Sequence, residues 1–187
     1  MLITGIVLGV IVLFSLVAIG VFNNLVGLRN LVKEAWAQID VQLKRRHDLI
    51  PNLVETVRGY AAHERGTLEA VTKARNIAQS AAKSNAPPEV RAAAESELSS
   101  ALARLLVVAE AYPELKANTN FLALQEELTG TENKISFARQ YYNDTVMNYN
   151  NTIQMFPSNI IAGMGGFKCE EFFKIDEADR AVPVVKF

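Results

Sequence analysis

Residues 35–54 read Ala35-Trp36-Ala37-Gln38-Ile39-Asp40-Val41-Gln42-Leu43-Lys44-Arg45-Arg46-His47-Asp48-Leu49-Ile50-Pro51-Asn52-Leu53-Val54, and this stretch decides the fold. Trp36, Ile39, Leu43, Ile50, Leu53, Val57 and Tyr60 recur at alternating three- and four-residue steps. That spacing lays apolar side chains along one helical seam facing other helices. Arg46 occupies the slot between Leu43 and Ile50, where a charge is destabilising unless a partner meets it. Trp36, Ile39 and Arg46 are therefore candidate packing and interaction residues.

Upstream, residues 1–22 contain no charged side chain. At ~1.5 Å per residue the run Leu2 to Phe22 matches the ~30 Å hydrocarbon core of a bilayer. Residues 1–23 thus read as a transmembrane anchor in contact with lipid. A cleaved signal peptide is the alternative: Ala18 and Gly20 resemble a cleavage site, but the usual Lys or Arg ahead of the apolar run is missing. Gly5 and Gly9 form a small-xxx-small pair that lets two such helices approach in lipid. Arg29 and Lys33 follow the anchor while its N-terminal side has no Lys or Arg, which places the remainder in the cytoplasm.

Residues 24–157 read as a helical bundle. From about Asn24 to Ser84 the strong breaker is Pro51, whose missing N–H frees the His47 carbonyl and predicts a kink in one very long helix. Asn85-Ala86-Pro87-Pro88 is the first clear turn, so helix two begins near Glu89. Its heptad slots hold Leu98, Leu105, Tyr112 and Thr119, and Ala101, Val108, Leu115 and Leu122. Pro113 either bends this helix beside Pro51 or starts a separate one. Thr129-Gly130-Thr131-Glu132 matches a capping box opening helix three, whose seam is Ile135, Ala138, Tyr142, Thr145, Tyr149, Thr152 and Phe156. An antiparallel return about the turn near 85 puts residue 124 opposite Arg46, making Glu126 and Glu127 its candidate partners. Residues 158–187 form a Gly-rich apolar tail, largely non-helical, with extended character from Val182 to Phe187.

Chemistry is sparse. His47 and His63 lie about 160° apart around one helix at ~100° per residue, too far to share a metal. The sole cysteine, Cys169, has no flanking signature of a nucleophile. Nineteen Lys and Arg against twenty Asp and Glu leave no basic surplus for nucleic acid. Lys44, Arg45 and Arg46 lie roughly 33 Å past the anchor on an upright helix, several Debye lengths from headgroups. Asn143 and Asn150 stand in Asn-x-Thr sequons but inside a predicted helix, where they read as solvent-facing amides. No cofactor, metal or catalytic residue is expected.

The central stretch, with Tyr112-Pro113-Glu114-Leu115-Lys116, Glu132-Asn133, Tyr149-Asn150, Phe156-Pro157 and Gly166-Phe167, resembles the bacterial LemA family over nearly the whole chain. The resemblance implies a membrane protein with one N-terminal helix and an elongated antiparallel three- or four-helix bundle, similar in layout to magnetosome-membrane proteins. It implies no reaction and transfers no catalytic residue. The expected function is that of a non-enzymatic scaffold or adaptor; an accessory factor binding peptide or protein partners for a membrane protease or transporter is the alternative. A homo-oligomer is expected, because helix one rises about 87 Å and helix two returns to about 25 Å above the membrane. Leu28 through about residue 40, including Trp36 and Ile39, then needs cover from a neighbouring subunit or from the tail folding back.

Overall fold

Helix α1 (Leu2–Tyr60) is a single 59-residue helix with Pro51 inside it. The computed structural model describes residues 2–174, and α1 is followed by α2 (Arg65–Lys83), α3 (Pro88–Ala109), α4 (Pro113–Lys116), α5 (Thr119–Gln154) and α6 (Ser158–Met164). The chain is all-helical over most of this length, as expected for the class. Two compact units emerge, one of residues 2–37 with 140–171, the other of 38–139 with 172–174. The expected strand-like stretch Val182 to Phe187 lies outside the described residues.

In the second unit α1 does not continue to Ser84. The helix ends at Tyr60, and Glu64, with φ −84° and ψ 37°, sits outside helical geometry before α2 begins. No proline or turn cluster marks residues 61–64, and the apolar period runs on through them, so spacing alone reads them as helix. Tertiary contact holds the turn instead: the Tyr112 hydroxyl donates to Glu64 Oε1 at 3.1 Å. α2 then packs back along α1, and Arg75 Nε donates to the His47 carbonyl at 2.7 Å. That carbonyl is the one whose helical donor Pro51 cannot supply.

α2 closes with Asn85 at φ 49°, while Ala86 N–H donates to the Ala81 carbonyl at 3.1 Å. Asn tolerates this left-handed conformation at a helix C-terminus. Pro88 opens α3, where its fixed φ suits the first helical turn. Because α1 folds back at 61–64, α3 runs parallel to α1: Asp40 pairs with Arg91, and Arg46 meets Glu95 and Ser99. α5 runs antiparallel to α1, with Arg46 on Glu132 and Tyr60 accepting from Asn118 Nδ2 at 2.9 Å. The second unit is thus an up-down-up-down bundle of α1, α2, α3 and α5. Its core includes Ile50, Leu53, Val57, Val71, Leu98, Leu105, Leu115 and Phe121.

Pro113 starts the separate short helix α4, one of the two readings its sequence allowed. The capping box at 129–132 opens nothing: α5 has already begun at Thr119, with Asn118 Oδ1 accepting from the Phe121 N–H at 3.0 Å as the true cap. The Thr129 and Thr131 hydroxyls instead donate to the Gln125 and Glu127 carbonyls one turn back. Phe121 and Leu128 bury here, which keeps the chain helical through the box.

In the first unit Leu25, Val32 and Ala35 are buried, and Trp36 packs on Tyr142 with ring centroids 5.1 Å apart. Ile39, in the second unit, is fully buried. The expectation that Leu28 to about residue 40 lacks cover from its own chain is therefore overturned, since α5 is one 36-residue helix that returns along α1. In the tail, the short helix α6 is followed by non-helical chain from Gly165 to Lys174.

Candidate functional site

The second unit buries a charged network. Arg46 is 2% exposed, and its Nη1 donates to Glu132 Oε1 at 2.5 Å and to Ser99 Oγ at 3.0 Å. Its Nη2 donates to the Glu95 carboxylate and, at 3.4 Å, to the Glu95 carbonyl. His47 Nε2 lies 2.9 Å from the other Glu95 carboxylate oxygen, Oε1. Burial alone pushes the Glu95 carboxyl up, but the His47 hydrogen bond and the Arg46 charge outweigh it and hold the group below the usual range. Burial likewise opposes the Arg46 charge, and Glu95 and Glu132 overcome it, raising the guanidinium above its ordinary value. A cavity of about 30 Å³ borders the network, lined by Leu43, Arg46, Glu95, Ser99 and Ile135 among others. That is room for about two waters, while a second cavity of about 280 Å³ reaches His47 and is lined by Asp40, Leu43, Lys44 and Arg91 among others. The geometry suits a structural lock between α1, α3 and α5.

In the first unit, side chains of α5 grip extended backbone. Asn150 Nδ2 donates to the Glu170 carbonyl at 2.9 Å while Asn150 Oδ1 accepts from the Glu170 N–H at 2.9 Å. The Tyr142 hydroxyl donates to the Glu171 carbonyl at 2.8 Å. Burial, reinforced by the Glu170 and Glu171 carboxylates, pushes the Tyr142 phenol up to about 12, so it stays a donor. The segment is delivered by a glycine turn: Gly166 has φ +67°, Gly166 N–H donates to Gly163 O at 3.4 Å, and Phe167 N–H donates to Ala162 O at 3.0 Å. This pairing is a Schellman motif, which favours glycine at the left-handed position. Phe167 then lies edge-on to Phe22 at 5.4 Å, with the Arg29 guanidinium 5.1 Å from its ring centroid.

The LemA family model matches residues 35–187, which include the charged network and the Asn150 and Tyr142 contacts with the tail but not Phe22 or Arg29. The chain belongs to the LemA family. It is 25% identical to Protein LemA of Metamycoplasma hominis over 95% of this chain and 83% of that one. It is 23% identical to Magnetosome protein MamQ 2 of Paramagnetospirillum magneticum and 22% identical to Magnetosome protein MamQ of Magnetospirillum gryphiswaldense. These alignments cover 82% and 81% of this chain, and the chain spans 64% of the length of either magnetosome relative. α1 is long and apolar enough to cross a membrane, and together with the family this points to membrane association.

In this LemA-family chain the residues singled out by sequence fall in different places. Arg46 is in the buried network, but its partners are Glu95 and Glu132 and not Glu126 or Glu127; Glu127 pairs with Arg45 at 3.0 Å. Reflection about residue 85 failed because α1 turns back at 61–64, which leaves α3 parallel to α1. Trp36 sits on Tyr142, and Ile39 is in the core. Pro51 is exposed within α1, and Pro113 begins α4. Gly5 and Gly9 are exposed, and a Cβ on either would meet nothing within 4 Å. Asn150 is not solvent-facing; it is 8% exposed and holds the tail. Sequence reading missed Glu95, Glu132, Arg91 and Asn150. Arg91 was findable, because it stands one heptad before Leu98 in the same slot.

Proposed function

We propose that this protein is a non-enzymatic, membrane-anchored helical scaffold or adaptor that self-associates at the bacterial membrane. One observation carries the reading: the exposed apolar anchor and the central strut of both units are the same helix, α1. A load or partner on the bundle is thereby linked to the anchor along one helix of the same chain. The buried charges supply further support, since Arg46 and His47 both bond the Glu95 carboxylate. The magnetosome names of the MamQ relatives support a role at a membrane. Arg29 and Lys33 beside the anchor favour a cytoplasmic bundle. Cys169 is exposed, so a membrane-impermeant thiol reagent tests that orientation: protection in intact cells and reaction after permeabilisation are expected, and reaction in intact cells reverses it.

Self-association is tested by single-cysteine cross-linking along residues 4–12 in native membranes of a Cys169→Ser background. Adducts peaking at Gly5 and Gly9 with helical period are expected. Absence of adducts at every position overturns an anchor-borne contact.

The second reading, an accessory factor handling peptides, is favoured by the Asn150 and Tyr142 grip, which holds main-chain groups and reads no side chain. Proximity labelling in membranes separates the two: mostly self-labelling supports the scaffold, and one dominant protease or transporter supports the accessory factor.

A further inference from the structure

The stretch from Met155 to Phe167 carries no charged side chain. Yet Met155 is 64%, Phe156 80%, Ile160 49% and Met164 84% exposed. Phe156, Ile160 and Met164 follow one another at four-residue steps, and Ile160 and Met164 share a face of α6. Large apolar side chains left open in this way, close together in sequence, mark a contact surface.

What covers it is indicated within the same unit. Phe167, the last residue of the uncharged run, packs edge-on against Phe22, where the exposed apolar length of α1 ends. Gly165 and Gly166 make that return feasible: a Cβ on Gly165 would come within 2.6 Å of the Phe167 ring, and Gly166 needs its left-handed φ of +67°. α6 is thereby held beside the point at which the anchor leaves hydrocarbon. Cations stand at the end of the uncharged run, with Arg29 over Phe167 and Lys168 exposed next in sequence. Apolar residues flanked by cations at that height match the composition of an interfacial membrane segment.

We propose that Met155, Phe156, Ile160 and Met164 insert into the interfacial layer of the bilayer beside α1, giving the protein a second membrane contact. The occupant of this surface is lipid, continuous with the lipid around the anchor. Two contact points on one unit fix the rotation of α1 about its own axis, which a lone spanning helix leaves to its neighbours. The inference rests on reading the first residues of α1 as a membrane anchor.

The test uses the full chain with Cys169→Ser and one introduced cysteine, at Ile160, Met164, Phe14 or Lys73, each carrying an environment-sensitive fluorophore. The protein is reconstituted in vesicles of phosphatidylcholine and phosphatidylglycerol and probed with iodide in water and with nitroxide-bearing lipid. Labels at 160 and 164 should be quenched several-fold more by nitroxide lipid, and several-fold less by iodide, than the exposed α2 reference at 73. Iodide quenching equal to that at 73 overturns the proposal, and so does protection from both quenchers, which would mean that protein covers the patch. A label at 14 that lipid nitroxide fails to quench would remove the anchor reading itself. Quenching at 14 but not at 160 or 164 removes the second contact alone.

Discussion

Arg75 donates through Nε to the main-chain oxygen of His47 at 2.7 Å, replacing the helical donor that Pro51 lacks. The proline is thereby accommodated by a neighbouring helix, and α2 is tied to α1 at that level. Arg75→Met leaves the carbonyl without a donor and should destabilise the protein by about 1 to 3 kcal/mol. In a Pro51→Ala background the helix supplies its own N–H, so the same change should cost less. Urea unfolding of the four proteins in detergent gives the coupling. An equal loss in both backgrounds would show that the contact is incidental.

Glu95 and Glu132 both meet Arg46 but in different surroundings, with side chains 7% and 43% exposed. Neutralising the buried partner by Glu95→Gln should cost roughly 3 to 5 kcal/mol, because the buried guanidinium then keeps only the half-exposed Glu132 carboxylate as countercharge. Glu132→Gln should cost no more than about 1 kcal/mol, since water screens and replaces that contact. Thermal unfolding of the two variants checks the order, and reversal would mean that Glu132 supplies the compensating charge.

The network also sets an acid limit. Glu95 is held below its ordinary value of 4.5 despite the opposing effect of burial, through the His47 hydrogen bond and the Arg46 charge. A folded value below the unfolded one stabilises the protein above about 4.5, and this contribution is lost as pH falls through the depressed folded value. The wild-type advantage over Glu95→Gln in urea midpoint should be flat above that range and shrink below it.

Tyr142 acts with the opposite sign. Its phenol is raised from 10.0 to about 12, first by burial and then by Glu170 and Glu171, so its contribution is full below 10.0 and lost as pH rises through about 12. Tyrosinate absorbance of wild type against Tyr142→Phe should isolate one late-titrating phenol.

The tail turn predicts a graded pair of variants. Gly166→Ala places a Cβ in a left-handed residue and should cost about 1 to 2 kcal/mol. Gly165→Ala should displace Phe167 from Phe22, because the added carbon comes within 2.6 Å of the ring. Methyl and aromatic nuclear magnetic resonance of specifically labelled Phe22 and Phe167 reads the displacement. An unchanged Phe22 environment in Gly165→Ala would mean that the contact tolerates the shift.

The seam from Ile39 to Val57 was legible because its period survives Arg46 and Pro51, and its members Ile39, Leu43, Ile50, Leu53 and Val57 are all buried. The break at 61–64 was illegible, since a Tyr112 hydroxyl and not a local breaker holds Glu64. That one turn decided the partners of Arg46, because it sets whether α3 runs with or against α1. The start of α5 was legible but outweighed: stepping the Ile135 seam backwards reaches Thr131, Leu128 and Phe121, all buried, through the false capping box. The role of Asn150 was hidden for another reason, as its partners are main-chain atoms whose path no side-chain pattern encodes.

Self-association at the membrane is read from the copy number per particle. Full-length protein carrying one fluorophore is extracted with its native lipids into polymer-bounded discs, and photobleaching steps are counted particle by particle. Multi-step particles should form the majority and fall to single steps when Gly5 and Gly9 are both replaced by leucine. Single-step particles throughout, at native expression and with complete labelling, would contradict it.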